Sequence, residues 1–384
     1  MKFSEVVGQE ALKEKLVQTV HEGRISHAQL FLGSEGTGAL PMALAYAQFL
    51  NCLSPGESDS CGTCSSCVKY SKLIHPDLHL SFPFIKKEGV DSDKVTAAMY
   101  LKEFRETFLE DPYMSYDSWI QTLGAVNKHA NINKAECIEI ISKLGLHTFE
   151  GKYKVLVLWL PEYLQQTGNI LLKIIEEPPA GTVFLLVAER SEMLLSTILS
   201  RTQLIKVPRL SVEAITTHLK LQFELSEKDA HSIALLSEGN LRSARALVQH
   251  EVSLNESLFI NFMRSAYKVN GGEILLWLDK VSEMTREQQK NFLQYGLHLI
   301  RECFLMQYGS AKLVRLRDTE LQFVTDFSPF ILKQHVQEYN RILNDAIYYI
   351  ERNANGRLVF HNLANEIERL LAQSRKLHAA MPTT

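Results

Sequence analysis

Three short apolar runs stand out in the first half of the chain: Ala28-Gln-Leu-Phe-Leu32, Tyr153-Lys-Val-Leu-Val-Leu-Trp-Leu160 and Thr182-Val-Phe-Leu-Leu-Val-Ala188. Runs this short and this continuously apolar predict strands buried on both faces, as in a parallel sheet. Pro41 to Leu50 repeats apolar residues at helical spacing, and Asn169 to Glu177 reads as a helix stopped by Pro178 and Pro179. Strands separated by helices give an α/β domain over residues 1–208. Beyond Val207 the strand pattern ends. Ser211 to His250 reads as two or three short helices broken at Gly239-Asn240, so residues 209–250 form a small helical segment. Residues 251–384 are an all-α domain of long amphipathic helices such as Glu273–Met306 and His335–Arg352, ending in a frayed tail from His378 to Thr384.

An insertion at residues 86–131 interrupts the α/β pattern with a polar, aromatic stretch of helical character. Its rings, Phe104, Phe108, Tyr113, Tyr116 and Trp119, can form a partner surface or close a small local core; the local core is the expectation. The chain has 384 residues, 46% hydrophobic and 22% charged, enough for two or three separate cores. A net charge of -3 argues against a whole-surface electrostatic grip on nucleic acid, though not against a local basic patch. No apolar run approaches the roughly 18 residues of a membrane span. The opening MKFSEVVGQEALKEKL lacks the apolar core of a secretory signal, so a cytoplasmic location without a membrane partner is expected.

Four of the six cysteines cluster as Cys52-x8-Cys61-x2-Cys64-x2-Cys67, while Cys137 and Cys303 stand alone. In a reducing compartment such clustering points to metal rather than disulfides. Four thiolates fill a tetrahedral ion and leave no open position, so a structural Zn2+ is expected over residues 52–67, with an iron–sulfur cluster as the competing metal. His75 and His79 lie nearby but are not needed as ligands.

Gly33-Ser-Glu-Gly36-Thr-Gly38-Ala39-Leu40 follows a predicted strand and opens a predicted helix, the setting of a phosphate-binding loop. Ala39 stands where a lysine would reach the β and γ phosphates, and Leu40 where a hydroxyl would hold magnesium. The second apolar strand is followed by Trp159, Leu160 and Pro161, with the first acid only at Glu162, so the magnesium-binding and water-activating acids are also missing. Two readings remain: a glycine-rich turn with no nucleotide history, or a nucleotidase framework that has lost its chemistry. Joint loss at both halves favours the second, with no hydrolysis and no passive nucleotide binding expected.

Several segments, in order, resemble the delta-prime subunit family of bacterial DNA polymerase III clamp loaders, within the AAA+ class. They are Phe3-Ser-Glu-Val-Val-Gly-Gln-Glu10, Gly23-Arg-Ile-Ser-His-Ala-Gln-Leu-Phe-Leu-Gly33, Asn169-Ile-Leu-Leu-Lys-Ile-Ile-Glu-Glu-Pro-Pro179 and Leu195-Ser-Thr-Ile-Leu-Ser-Arg-Thr-Gln203. Thr202 stands where the family usually has cysteine, and the insertion exceeds the family's length. The cysteine spacing after the loop is also similar. The resemblance implies an AAA+ P-loop nucleotidase-like domain with a zinc loop, a helical lid and a helical collar within a ring-like pentamer. Its implied partners are the ATPase subunits, the delta subunit, and, through the complex, the sliding clamp and primed DNA. It further implies that the chain hydrolyses no ATP but lends Arg201, preceded by Ser200, to a neighbour's site. An ordinary surface salt bridge is the competing role for that arginine. Ala188 aligns with the family's sensor threonine, and Arg242 falls near its second sensor. Two other functions compete. An active ATPase would need substitutes for the residues replaced by Ala39 and Trp159, and none is visible. A stand-alone zinc-containing nucleic-acid adaptor is disfavoured by the near-neutral charge and by the lack of interleaved basic and aromatic residues.

Overall fold

The computed structural model describes residues 1–86, 94–124, 130–248, 252–309, 316 and 318–380. The three expected strands form as β1 (Ala28–Leu32), β3 (Lys154–Trp159) and β4 (Thr182–Ala188). Two more join them, β2 (Leu78–Ser81) and β5 (Gln203–Lys206), in the order β2-β3-β4-β1-β5, all parallel. β3 and β4 are buried throughout and alternate between two cores. Val155, Val157 and Trp159 face one, while Leu156 and Leu158 face the other. β5 lies at the edge, largely exposed, and its glutamine and lysine ends carry no apolar run to betray it.

The helix Ala39–Leu50 is buried at every residue and covers the first face, while Lys134–Leu144 contributes Cys137, Ile140 and Leu144 to the other. The helix expected over Asn169–Glu177 is shorter. A 3-10 run over Pro161–Leu171, kinked at Gln165 (φ 49°, ψ -136°), precedes a helix of only Leu172–Glu176. In the insertion, helices Leu101–Glu110 and Tyr116–Thr122 place Phe104, Phe108 and Trp119 in the main α/β core rather than in a core of their own. Phe82 stacks on Phe104 at 4.1 Å, and Trp119 Nε1 donates to the Pro83 carbonyl at 2.7 Å. Residues 87–93 and 125–129 of the insertion lie outside the described residues.

After β5 the described chain is helical, beginning with Val212–Phe223, Glu227–Leu236 and Leu241–Ala246. The long helix expected over Glu273–Met306 is two helices, Gly271–Ser282 and Arg286–Tyr308. Thr285 starts the second with a capping box: its hydroxyl accepts from Gln288 N–H, and the Gln288 side chain accepts from Thr285 N–H. Val336–Glu351 forms as expected. The expected frayed tail is helical to Ala380, within Gly356–Ala380, and residues 381–384 lie outside the described residues, as does the expected boundary at 250–251. Phe262, Trp277, Phe292 and Phe360 centre this helical core, with Phe262 and Trp277 stacked at 4.0 Å. The chain divides into two compact units, one of residues 1–218 and 238–242, the other of 219–237 and 243–384. No helix among the described residues is long and apolar enough to cross a membrane.

Candidate functional site

The loop from Gly33 leaves the carboxyl edge of β1, the edge at which ligands of open parallel sheets bind. Gly33 N–H donates to Ala188 O at 3.1 Å, tying the loop to the end of β4. Gly36 (φ +73°) and Gly38 (φ +88°) adopt the left-handed conformation that favours glycine, so the cradle shape survives without its lysine. Ala39 and Leu40 are both buried, and neither supplies a charge or a hydroxyl. The cavity lined by this loop, Trp159, Val187 and Tyr113 measures only about 30 Å³. That is far below the several hundred Å³ of a ligand pocket.

The strand that would carry magnesium-binding acids ends in buried Trp159, followed by Leu160 at φ 55°. Glu162, the first acid beyond it, braces the chain after β4: one oxygen accepts from Glu189 N–H at 2.6 Å and Arg190 N–H at 2.8 Å. Burial pushes its carboxyl above the usual range, although those donors pull the other way. Ala188 is fully buried, and its methyl side chain offers no polar atom to sense a phosphate.

Arg201 follows the short helix Ser196–Leu199 and sits apart from this loop. Its Nε donates to Glu176 at 2.9 Å, and one terminal nitrogen donates to Thr197 O at 3.1 Å. The side chain keeps 32% of its exposure and Glu176 keeps 58%, so the pair is a surface one. Arg242, by contrast, reaches the loop. Its Nε lies 3.6 Å from Glu35, and one terminal nitrogen donates to Ser118 Oγ at 3.0 Å and lies 3.9 Å from Asp111.

The four cysteines converge, with their sulfurs all within 4.8 Å of one another and Cys61 and Cys67 at 3.9 Å. A tetrahedral zinc with Zn–S near 2.3 Å separates its sulfurs by about 3.8 Å, so the donor set fits a single ion. Sulfurs this close leave no room among them for a multi-iron cluster. Backbone N–H groups of Cys61, Cys64 and Cys67 donate to the sulfurs of Cys52, Cys61 and Cys64 at 3.3, 3.3 and 3.4 Å, directing successive thiolates inward. N–H donors from Cys64 and Thr63 lower the Cys61 thiol to about 6, whereas burial raises that of Cys67. His75 packs on Tyr70 at 4.5 Å and belongs to the core.

Reading the sequence did not find Tyr113, whose ring lies against Gly38, or Asn240, whose side chain lies against Gly36. The insertion's ring pattern includes Tyr113 and the helix break includes Asn240, but neither pattern places the residue at the loop, because each contact joins distant parts of the chain. It also missed Asp77, which organises the turn into β3.

A parallel sheet, a glycine loop at its carboxyl edge and a helix opening on that loop define an α/β protein with a P-loop-like framework. Residues 8–211 match the family model described as DNA polymerase III, delta subunit, and the chain belongs to that family. It is 24% identical over 299 residues to DNA polymerase III subunit delta' of Bacillus subtilis, covering 77% of each chain. It is 25% identical over 306 residues to the delta' subunit of Escherichia coli, covering 79% of this chain and 77% of that one. DNA polymerase III subunit tau of Bacillus subtilis is 22% identical over 318 residues, which span 82% of this chain and 48% of that protein.

Proposed function

We propose that this chain is the non-hydrolysing, delta-prime-type subunit of a bacterial clamp loader, acting in the cytoplasm within the DNA polymerase III holoenzyme. The observation that carries the reading is the loop itself: a phosphate-loop backbone in a family-matched domain, with Ala39 and Leu40 in place of lysine and hydroxyl. The α/β domain 1–208 presents Arg201 to a neighbouring ATPase subunit, the helical lid 209–250 follows it, and residues 251–384 form a collar that joins the ATPase and delta subunits. The sliding clamp and primed DNA are met through the complex. Cys52, Cys61, Cys64 and Cys67 hold a structural Zn2+. When bound, that ion supplies a rigid cross-link between the end of the helix Ala39–Leu50 and the loop after it, and no chemistry.

The Glu176 pair does not count against the role of Arg201. An exposed ion pair contributes about 0–1 kcal/mol, so the guanidinium leaves it for a phosphate at small cost. The planar fork suits the spread charge of a transferring phosphoryl group, and lysine would not reproduce it. The test is to assay the purified chain for ATP hydrolysis and for binding of primed DNA over a salt series, then to assay ATP hydrolysis with its ATPase partners. Silence alone and turnover in the assembly are expected. Turnover by the chain alone would contradict the reading, and steeply salt-dependent DNA binding by the chain alone would favour the adaptor.

A further inference from the structure

We propose that the insertion and the residue pair at Gly239-Asn240 supply an internal ligand for the former phosphate loop, and that this plug, beyond the missing lysine, keeps nucleotide out. In a working loop the bare glycines let phosphate oxygens approach the backbone. Here both approaches are taken. A Cβ on Gly38 would stand 3.1 Å from the Tyr113 ring, and one on Gly36 would stand 1.8 Å from Asn240 Oδ1. Each cover is anchored by hydrogen bonds: Val7 N–H donates to the Tyr113 hydroxyl at 2.9 Å, and Leu241 N–H donates to Gly36 O at 3.1 Å.

The plug is built rather than casual. Asp111 Oδ1 accepts from Tyr113 N–H at 3.1 Å and its carbonyl from Met114 N–H at 3.0 Å, which fixes the turn between the two insertion helices. Arg242 closes it from the other side, between Glu35 of the loop and Asp111 and Ser118 of the insertion. A guanidinium beside a phosphate loop would be expected to meet phosphate; here carboxylates and a hydroxyl take that place. The remaining space, about 30 Å³, is far smaller than a nucleotide pocket.

This inference rests on residues 33–40 being a former phosphate loop, and not on Arg201. Its test uses the full-length chain, with MgATP binding followed by calorimetry and by a fluorescent ATP analogue. The loop is restored with Ala39→Lys and Leu40→Thr, and the covers are removed with Tyr113→Leu and Asn240→Ala, singly and together. Zinc content and melting temperature serve as checks on folding. With the loop restored and the covers intact, no binding is expected up to about 1 mM ATP. Restoring the loop and removing both covers should tighten binding by at least about tenfold. Two results overturn the plug: the restored loop with native Tyr113 and Asn240 binds as well as the uncovered one, or the folded, uncovered, restored variant still binds nothing. The restored loop with intact covers leaves every plug residue in place, so its result decides even if the cover variants misfold. Binding without turnover by the restored loop with native Tyr113 and Asn240 would refute the plug and leave the proposed loader role standing.

Discussion

Asp77, immediately before β2, accepts the backbone N–H groups of Phe149, Glu150 and Gly151 at 2.6, 2.9 and 2.7 Å, and so shapes the chain entering β3. Burial acts to raise its carboxyl, but the N–H donors outweigh that and hold it below the usual carboxylate range. A depressed folded value means stability that is present above the unfolded value near 3.9 and is lost as pH falls through the folded one. Asp77→Ala leaves three part-buried donors without their acceptor and should cost about 1–3 kcal/mol at pH 7. Denaturant titrations at pH 7 and in acid check this, and the deficit should shrink as the wild-type carboxylate protonates. A deficit independent of pH would assign the cost to packing alone. Arg201 illustrates the opposite limit, an exposed ion pair too weak to fix a role. Its candidacy rests on its motif, whereas Tyr113 and Asp77 act on segments far away in sequence, which no local motif foretells.

At the scale of elements, β1, β3 and β4 were legible because interior parallel strands must be apolar on both faces. The two sheet edges, β2 and β5, were not, since an edge strand tolerates His79, Gln203 and Lys206. The break before Arg286 was available to the eye in Thr285-x-x-Gln288, but the apolar pattern on both sides ran on at the same spacing and masked it. The convergence of the four cysteines in one loop was legible, because ligand spacing is local. Its consequence was not: Asp59, within that loop, accepts from Phe3 and Ser4 N–H at 3.0 and 2.9 Å, and Gln48 donates to Ser60 at 2.9 Å. The loop therefore ties the N-terminal 3-10 turn to the buried helix Ala39–Leu50. Cys64→Ser should drop bound zinc from about one per chain toward zero and destabilise the α/β unit by more than about 2 kcal/mol. Metal analysis and thermal melting read both effects, and an unchanged melting temperature in zinc-free protein would show that the loop braces nothing.

For the whole molecule, the change from sheet to helices was visible in the periodicity, but the grouping of segments was not. Residues 238–242 belong with the sheet unit because Asn240 and Leu241 return to Gly36, while the preceding 219–237 belong with the helical unit. Only contacts decide such membership. On the proposed reading, a loop stripped of lysine and hydroxyl splits no ATP, and a net charge of -3 gives no whole-surface grip on nucleic acid. What the proposed reading has it lend to the reaction is a guanidinium outside its own loop. The decisive measurement is clamp- and DNA-stimulated ATP hydrolysis by the reconstituted loader carrying native Arg201, Arg201→Lys or Arg201→Ala. A trans-acting arginine is worth about 10³–10⁵ in turnover at its own site. The account therefore predicts that both variants assemble normally, and that the neighbouring site loses most of its turnover in each. Unchanged turnover at that site in a correctly assembled Arg201→Ala complex would contradict the account and leave Arg201 as the partner of Glu176.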